Sequence, residues 1–257
     1  MRAAHGALMN AHLATIGRSF LFAHAFLVAL RRPRQWLGAT VEEAARQSAD
    51  ALPLVLLLST LGGALISLQT GFQFQGNLPM WVIGSIVSSS LITEVTPMFV
   101  GLGVIGMIGT RVAAELGTMR VTEQLDALEL IGRDPVPFLA VPRVLGATIA
   151  GPILMSLALL ASMVAGWLCA IMVTNASTND FWFGVRYYMR DFVMFFALIK
   201  GFAFGGALVM VAAFVGFEAH GGSVGVGRTV RQAVVGMLLA MVLLDTIIAP
   251  LLKIVRV

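Results

Sequence analysis

Three ionisable residues interrupt long apolar runs of this chain: Glu94, Lys200 and Asp245. A charged side chain at the centre of a bilayer costs about 2.5–3.5 kcal/mol on insertion scales, so each of these residues requires a partner or a function. Lys200 lies nine residues after Asp191 and Asp245 lies eight residues before Lys253, which places each about 12–13 Å from one end of its helix. We therefore expect an ion pair between Lys200 and Asp245, either as a purely structural contact or as part of a functional site.

Glu94 differs from these two residues because it has no obvious partner at its predicted depth. Gln69 lies near the end of the preceding apolar run, so the two side chains would line one path if both faced the same interior space. The alternative is that Glu94 is protonated or hydrogen-bonded locally and only packs against its neighbours. The residues alone leave both interpretations open.

The stretch ELGTMRVTEQLDALELIGRDP, residues 115–135, contains five of the 13 carboxylates and separates two apolar runs. Thr122 suits an N-cap, and Gly132 followed by Asp134-Pro135 is a typical stop, so a short helix is predicted between them. One side of that helix is an apolar stripe made of Val121, Leu125, Leu128 and Ile131. Such a helix either lies on the lipid headgroups as a linker or docks into a groove of a soluble partner.

Several other chemistries are missing from the sequence pattern. The four histidines lack the spacing of metal ligands, and the single cysteine, Cys169, lies in an apolar run. Neither a catalytic triad nor a G-x-x-x-x-G-K-[ST] phosphate-binding loop is present. We therefore expect no catalytic residue, no metal and no cofactor in this chain, and no enzymatic activity of its own.

The composition is that of an integral membrane protein. Apolar residues make up 58% of the 257 residues and charged residues 12%, and the mean hydropathy is +0.91. Runs long enough to cross a bilayer, at about 20 residues each, predict five transmembrane helices near residues 50–72, 80–109, 144–173, 192–215 and 232–252. Residues 8–30 have a weaker periodicity that fits an interfacial helix. The predicted fold class is all-α integral membrane, with an N-terminal interfacial helix, five transmembrane helices and a short cytoplasmic helix between the second and third spans.

Lys and Arg residues are retained on the cytoplasmic side of membranes, so their distribution predicts the orientation. Twelve of the 17 fall on the side of the N-terminus, and four fall on the other side: Arg186, Arg190, Lys253 and Arg256. The N-terminus and residues 110–143 are therefore predicted to be cytoplasmic, and the aromatic loop 178–191 is interpreted as an outer interfacial belt. The pI is about 10.0, but the basic residues are scattered, which does not favour nucleic-acid binding.

The segment AAELGTMRVTEQLDALELIGRDPVPFLAVPR, residues 113–143, closely resembles the signature of the MlaE (YrbE) family, the permease subunits of lipid-transporting ABC systems in bacterial envelopes. Residues 40–257 broadly follow the layout of that family, including a glycine-rich cytoplasmic loop, here GGSVGVGRTVRQAVV. There are two departures. The family often has a basic residue followed by Glu-Leu-Gly-Pro in the second span, whereas this chain has Thr93 followed by Glu94-Val95-Thr96-Pro97.

The resemblance implies a coupling helix that seats in a cytoplasmic ABC ATPase, and this ATPase would supply ATP and Mg²⁺ in trans. The implied ATPase-coupling residues are Glu115, Leu116, Thr118, Met119, Thr122, Glu123, Gln124, Asp126, Leu128 and Glu129. A homodimer is also implied, with a central cavity that takes up phospholipid and with Gln69 and Glu94 along it. A periplasmic MCE-domain protein would pass the lipid onward, and a STAS-domain accessory protein would be a further partner.

The resemblance thus implies an inner-membrane permease that moves phospholipid between the inner and outer membranes and maintains outer-membrane lipid asymmetry, with its C-terminus in the periplasm. The implied domains are residues 1–46, a cytoplasmic or interfacial region, and residues 47–257, the five-span permease domain with the coupling segment 110–143. Two alternatives stay open. An ion-gradient-driven secondary transporter would need a titrating Glu94 and no ATPase, and a non-transporting scaffold would bind the ATPase but tolerate changes in the cavity.

Overall fold

The computed structural model describes residues 2–74, 79–174, 176–189 and 191–255. Within these ranges the chain forms helices joined by turns, without strands, and five helical segments are long and apolar enough to cross a membrane. They are Leu37–Gln73, Trp81–Val121, Val136–Val173, Val193–Phe217 and Gly222–Pro250. The predicted fold class is confirmed. Arg190 and Arg256, which were used to predict the orientation, lie outside the described residues.

The first three segments are longer than the apolar runs predict, each at the end that bears charged residues. Helix α2 (Leu37–Gln73) begins well before residue 50, so the boundary predicted between residues 46 and 47 falls inside it. The second segment continues to Val121 and consists of three helices joined by π-helical turns: α3 (Trp81–Ser90), α4 (Thr96–Gly103) and α5 (Thr110–Val121). The third begins with a π-helical turn at Val136 and continues as α7 (Val141–Val173). Ion pairs between these extensions stabilise them, and hydropathy does not detect such contacts.

Helix α1 (Arg2–Ala29) is the predicted N-terminal helix. Its C-terminal half exposes several large apolar side chains, at Phe20, Leu21 and Leu27. Phe22 packs on Phe214 and Phe217, with ring centroids 5.8 and 5.4 Å apart. A helix that packs on the spans with one side and leaves apolar residues outside fits a position along the membrane surface.

Glycines allow the central helices to touch one another. Gly151 of α7 packs against Gly201 of α9 (Asp191–Phe217), and Ala147 packs against Gly205, so α7 and α9 are antiparallel. A Cβ atom at Gly151 would meet the backbone oxygen of Gly201, which cannot move aside. Gly63 allows α2 to approach α7 in the same way. These contacts place α7 at the centre of the spans.

The aromatic segment on the predicted outer side is mostly a helix, α8 (Thr178–Tyr188), which begins with a capping box at Ser177. Its Phe181 is fully buried, and the backbone there touches α3 at Gly84. The interpretation of the whole segment as an interfacial belt is therefore wrong for Phe181, and it remains compatible only with exposed residues such as Phe183 and Tyr187. The chain then continues through α9 into α10 (Gly222–Val255), which contains the fifth span.

Candidate functional site

Lys200 lies in α9, and its side chain is completely buried. Its ammonium nitrogen is 2.7 Å from Oδ1 of Asp245 in α10, so the expected ion pair is present. The same nitrogen is 3.3 Å from Oε2 of Glu94, which lies in the π-helical turn Leu91–Val95. The expectation that Glu94 has no partner is therefore wrong, because counting depth along each helix does not reveal that the second span packs against α9 at this point.

A third oxygen, the backbone carbonyl of Thr93, accepts a hydrogen bond from Lys200 Nζ at 2.6 Å. Pro97 follows four residues later and has no N–H, so this carbonyl lacks its usual α-helical donor. Lys200 supplies the missing donor. Two of the three N–H groups of the ammonium donate hydrogen bonds, to the Thr93 carbonyl and to Glu94 Oε2, and Asp245 Oδ1 adds a close ion pair. We call Lys200, Glu94, Asp245 and the Thr93 carbonyl the Lys200 cluster.

The same region shows how the chain accommodates its two departures from the family pattern. Thr93 provides no positive charge beside Glu94, but Lys200 brings a cation to that carboxylate from α9. Thr96 stands where the pattern has glycine, and its Oγ1 lies 3.0 Å from Oγ of Ser162 in α7, in the buried interior. The added hydroxyl therefore has a hydrogen-bond partner, and it ties the second span to the third.

The two carboxylates of the cluster are more exposed than the ammonium between them. The side chain of Glu94 is 52% exposed and that of Asp245 is 33% exposed, whereas that of Lys200 is 0% exposed. The exposed side of the cluster is therefore formed by the two carboxyl groups, and the cation lies behind them. Gln69 is exposed on α2, and no hydrogen bond or ion pair in the described part of the chain joins it to this cluster.

A second group of ions, which we call the Glu115 cluster, joins the charged ends of α2, α5 and α7. The carboxylate of Glu115 lies 3.3 Å from Arg46, 3.1 Å from Arg143 and 3.7 Å from Arg111. Arg111 also pairs with two carboxylates of α2, those of Glu43 and Asp50. Three guanidinium groups thus meet three carboxylates, and the cluster links three helices without a net charge.

Two of the ten residues predicted to contact an ATPase face the other helices of this chain. Leu116 is 0% exposed, and Glu115 is engaged by three arginines, because α5 continues the second span and turns these two side chains toward the other helices. Six others are exposed: Thr118, Thr122, Glu123, Gln124, Asp126 and Glu129. Met119 and Leu128 are half-buried. The arginines of the Glu115 cluster were missed in the sequence, although Arg111 precedes Glu115 by four residues, the spacing of a helical ion pair.

The predicted N-cap at Thr122 is wrong. Thr122 ends α5, and its Oγ1 donates a hydrogen bond to the carbonyl of Thr118 at 2.8 Å, so the hydroxyl belongs to the preceding turn. Glu123 then adopts a left-handed φ of 61° and turns the chain into α6 (Gln124–Leu130). The segment is consequently a hairpin of α5 and α6.

Helix α6 ends at Leu130, and the predicted stop residue Gly132 follows its C-cap with a left-handed φ of 76°. The Gly132 N–H donates to the carbonyl of Glu129 at 2.9 Å, in the manner of a Schellman motif. The predicted apolar stripe is wrong at its end, because Leu125 is buried but Ile131 is 69% exposed. Leu130 is 89% exposed, so two adjacent large apolar side chains are exposed at the C-terminal end of α6. Sequence periodicity missed Leu130 because it lies off the stripe.

Five spans around a buried ion cluster, with a charged hairpin between the second and third, define a multi-pass α-helical membrane protein. The described residues contain no group of three or more His, Cys, Asp or Glu that could hold a metal ion.

Comparison with known proteins agrees with this class. The family model for permease MlaE matches residues 40–251, and the chain belongs to this family. It is 29% identical over 221 residues to the probable ABC transporter permease protein of Rickettsia felis, covering 86% of this chain and 85% of that protein. It is 31% identical over 201 residues to a probable ABC transporter permease protein of Synechocystis, covering 78% and 76%. It is 29% identical over 210 residues to the Arabidopsis thaliana protein TRIGALACTOSYLDIACYLGLYCEROL 1, chloroplastic, covering 82% and 60%.

Replacing Lys200 with Met is expected to destabilise the protein, because two carboxylates and a carbonyl then lose their cation. Removing one partner of a buried ion pair typically costs about 3–5 kcal/mol, and we expect a loss of that order in the free energy of unfolding. The measurement is the Tm in detergent together with the yield of assembled protein. The double variant Lys200→Met/Asp245→Asn and the exchange Lys200→Asp/Asp245→Lys should each recover part of the loss. If both are as defective as the single variant, the pairing does not stabilise the fold.

Glu115→Gln is expected to lower the free energy of unfolding by about 1.5–3 kcal/mol, since it weakens the charge-assisted contacts to three arginines. Glu123→Gln is the matched control, because Glu123 is exposed and lies eight residues further along the same hairpin. It should change stability by less than about 0.5 kcal/mol. Thermal unfolding of the isolated chain, with no partner present, measures both. Equal Tm values for the two variants would refute the structural role of Glu115.

Proposed function

We propose that this chain is the membrane permease of an ABC transporter that moves phospholipid, or a related lipid, between the inner and outer membranes of a bacterial envelope. The observation that carries the proposal is the C-terminal end of α6, where Leu130 and Ile131 are exposed. Adjacent exposed apolar residues on a helix favour docking into a groove of a soluble partner. The names of the Rickettsia and Synechocystis relatives support an ABC ATPase as that partner.

The hairpin is fixed to the rest of the molecule through α5. Helix α5 is continuous with the second span, and the Glu115 cluster ties it to α2 and α7. In the proposed assembly, two copies of the chain form a homodimer, and two ATPase subunits bind ATP and Mg²⁺ and grip the two hairpins. Nucleotide-driven closure of the ATPases then moves the spans of both copies and closes a cavity between them.

Gln69 and Glu94 are the side chains that we assign to this cavity. Both are exposed polar groups within the apolar runs of their segments, so each would be costly against lipid tails unless it faced a polar space. The name of the Arabidopsis relative contains a galactolipid, which supports lipid as the cargo. A periplasmic MCE-domain protein would receive or deliver the lipid, and a STAS-domain protein would bind on the cytoplasmic side. The system would thereby maintain outer-membrane lipid asymmetry.

The double variant Leu130→Ala/Ile131→Ala is expected to weaken ATPase binding by roughly tenfold or more. Both side chains would be buried in the interface with the ATPase, and the variant loses those apolar contacts. The chain is isolated through a tag from its own host membrane in mild detergent and analysed by native mass spectrometry. The unaltered chain should be recovered with one ATPase subunit for each copy of the chain. Lipid should also remain bound to this complex. Val41→Ala is the control, since Val41 is 66% exposed on the charged end of α2 but lies outside the hairpin.

Each rival function has its own signature in this experiment. A chain that never retains an ATPase, at any detergent strength, contradicts the proposal and favours a gradient-driven transporter. An ATPase that stays bound in every variant, while changes at Gln69 and Glu94 leave lipid movement intact, favours a scaffold.

Photo-crosslinkers at positions 69 and 94 are expected to capture phospholipid in the resting complex and to lose it when the ATPases are trapped closed with vanadate. A crosslinker at Leu160, which is 61% exposed on α7, should capture membrane lipid in both states. The measurement is the mass of the crosslinked adduct. Capture at 69 and 94 that does not depend on nucleotide would mean that these positions face bulk lipid rather than a closing cavity.

A further inference from the structure

Three arginines line one cavity at the charged end of the molecule. Arg32 and Arg34 lie in the turn between α1 and α2, and Arg133 directly follows the end of α6. The cavity has a volume of about 440 Å³, and Asp134 and Phe138 contribute to its wall. None of its lining residues belongs to the Lys200 cluster or to the Glu115 cluster.

These three arginines have no carboxylate within ion-pair distance among the described residues. Five other arginines on this side of the molecule are paired, at positions 18, 46, 111, 120 and 143, whereas Arg31, Arg228 and Arg231 are exposed and outside ion-pair distance of any described carboxylate. Asp134 is the one carboxylate in the described wall, and its Oδ1 accepts a hydrogen bond from the N–H of Val136 at 3.0 Å. The cavity therefore carries an excess of two positive charges that no protein anion neutralises.

Apolar side chains face outward beside this cavity. Val28 is 43% exposed near the end of α1, and Leu37 is 58% exposed at the start of α2. Phe138 is 41% exposed and lies under the guanidinium of Arg133, whose carbon is 5.2 Å from the ring centroid. On the expectation that α1 lies along the membrane surface, the turn that follows it would lie at the level of the lipid headgroups. A basic cavity bordered by outward-facing apolar residues matches both parts of an anionic phospholipid, its phosphate and its acyl chains.

We propose that the cavity lined by Arg32, Arg34 and Arg133 binds the phosphate group of an anionic phospholipid from the adjacent leaflet. Guanidinium groups suit this ligand because their planar N–H pairs match two phosphate oxygens. The bound lipid bridges the turn after α1 to the end of α6, and so it ties the N-terminal helix to the hairpin. This site does not hold transported lipid, and its existence does not depend on the proposed function. Soluble phosphate shares the chemistry of the headgroup and is distinguished by the test.

The test measures binding of a short-chain phosphatidylglycerol to the delipidated full-length protein in detergent, by native mass spectrometry. Arg32→Gln/Arg133→Gln is expected to weaken binding by roughly tenfold or more, since it removes two charge-assisted contacts. Arg228→Gln/Arg231→Gln is the matched control, because it removes the same charge from two exposed arginines outside the cavity. The control should change the affinity by less than about twofold. Arg32→Lys/Arg133→Lys keeps the charge without the planar fork and should give an intermediate affinity.

Three results would overturn the proposal. Equal weakening in the cavity variant and in the control would mean that only the overall surface charge attracts the lipid. Displacement of the lipid by inorganic phosphate at the same concentration as the lipid would identify a site for small anions. Unchanged lipid binding combined with a lost ATPase would show that the arginines contact a protein. Folding is checked by the Tm of each variant. If Arg32→Gln/Arg133→Gln is unstable, the lipid affinity of Arg32→Lys/Arg133→Lys is compared with that of Arg228→Gln/Arg231→Gln instead.

Discussion

A fully buried ammonium group constrains how the spans of this protein assemble. Transferring a charge out of water costs several kcal/mol even after the protein relaxes, so Lys200 must keep its three oxygen partners. These oxygens come from the second span and from α10, whereas Lys200 itself lies in α9. Within a bilayer the apolar faces of helices do not strongly select one another, because lipid tails are as apolar as leucine. The Lys200 cluster therefore supplies selectivity that apolar packing lacks.

The residue next to Lys200 extends this constraint to the third span. Gly201 packs on Gly151 of α7, so that α7 comes close to α9 at the level of the ammonium group. Ser162 of α7 also meets Thr96 of the second span through their hydroxyls. One short stretch of α9 thus brings α7, α10 and the second span together. A bulkier residue at position 201 would separate α7 from α9 and would disturb the surroundings of Lys200.

Hydropathy was sufficient to predict the five spans, because about 20 apolar residues in succession have few alternatives to crossing a membrane. Depth along the helix was sufficient for the pairing of Lys200 with Asp245. It failed for Glu94, whose partner depends on the π-helical turn at Leu91–Val95 and on the proline that frees the Thr93 carbonyl. Pro97 is visible in the sequence, but it does not indicate which helix supplies a donor to the freed carbonyl, and the π-helical turn has no reliable signal in residue type.

The hairpin shows a different limit of sequence-based prediction. The signature around Glu115 was sufficient to locate the segment and the family, but similarity to a pattern does not distinguish a residue that contacts a partner from one that holds the segment in place. Burial makes that distinction for Leu116, and ion pairs to three arginines make it for Glu115. Thr122 has the residue type of an N-cap, yet its hydroxyl bonds back to the helix that it ends, which residue preference does not predict. The exposure of Leu130 could be recognised only from the structure, which shows which side of α6 faces away from the other helices.

The two ion clusters lie on one continuous helical segment, and this limits how motion passes between them. Glu94 and Glu115 are 21 residues apart in Trp81–Val121, which corresponds to about 31 Å along a helix. The partners of Glu115 come from α2 and α7, so a displacement of the hairpin carries the charged ends of three helices with it rather than bending α5 alone. Between the clusters lies the π-helical turn Val104–Gly109, a type of turn that is frequent at functional sites. A change at the hairpin therefore reaches the exposed carboxylate of Glu94 either as a rigid movement of the three helices or through rearrangement of that turn.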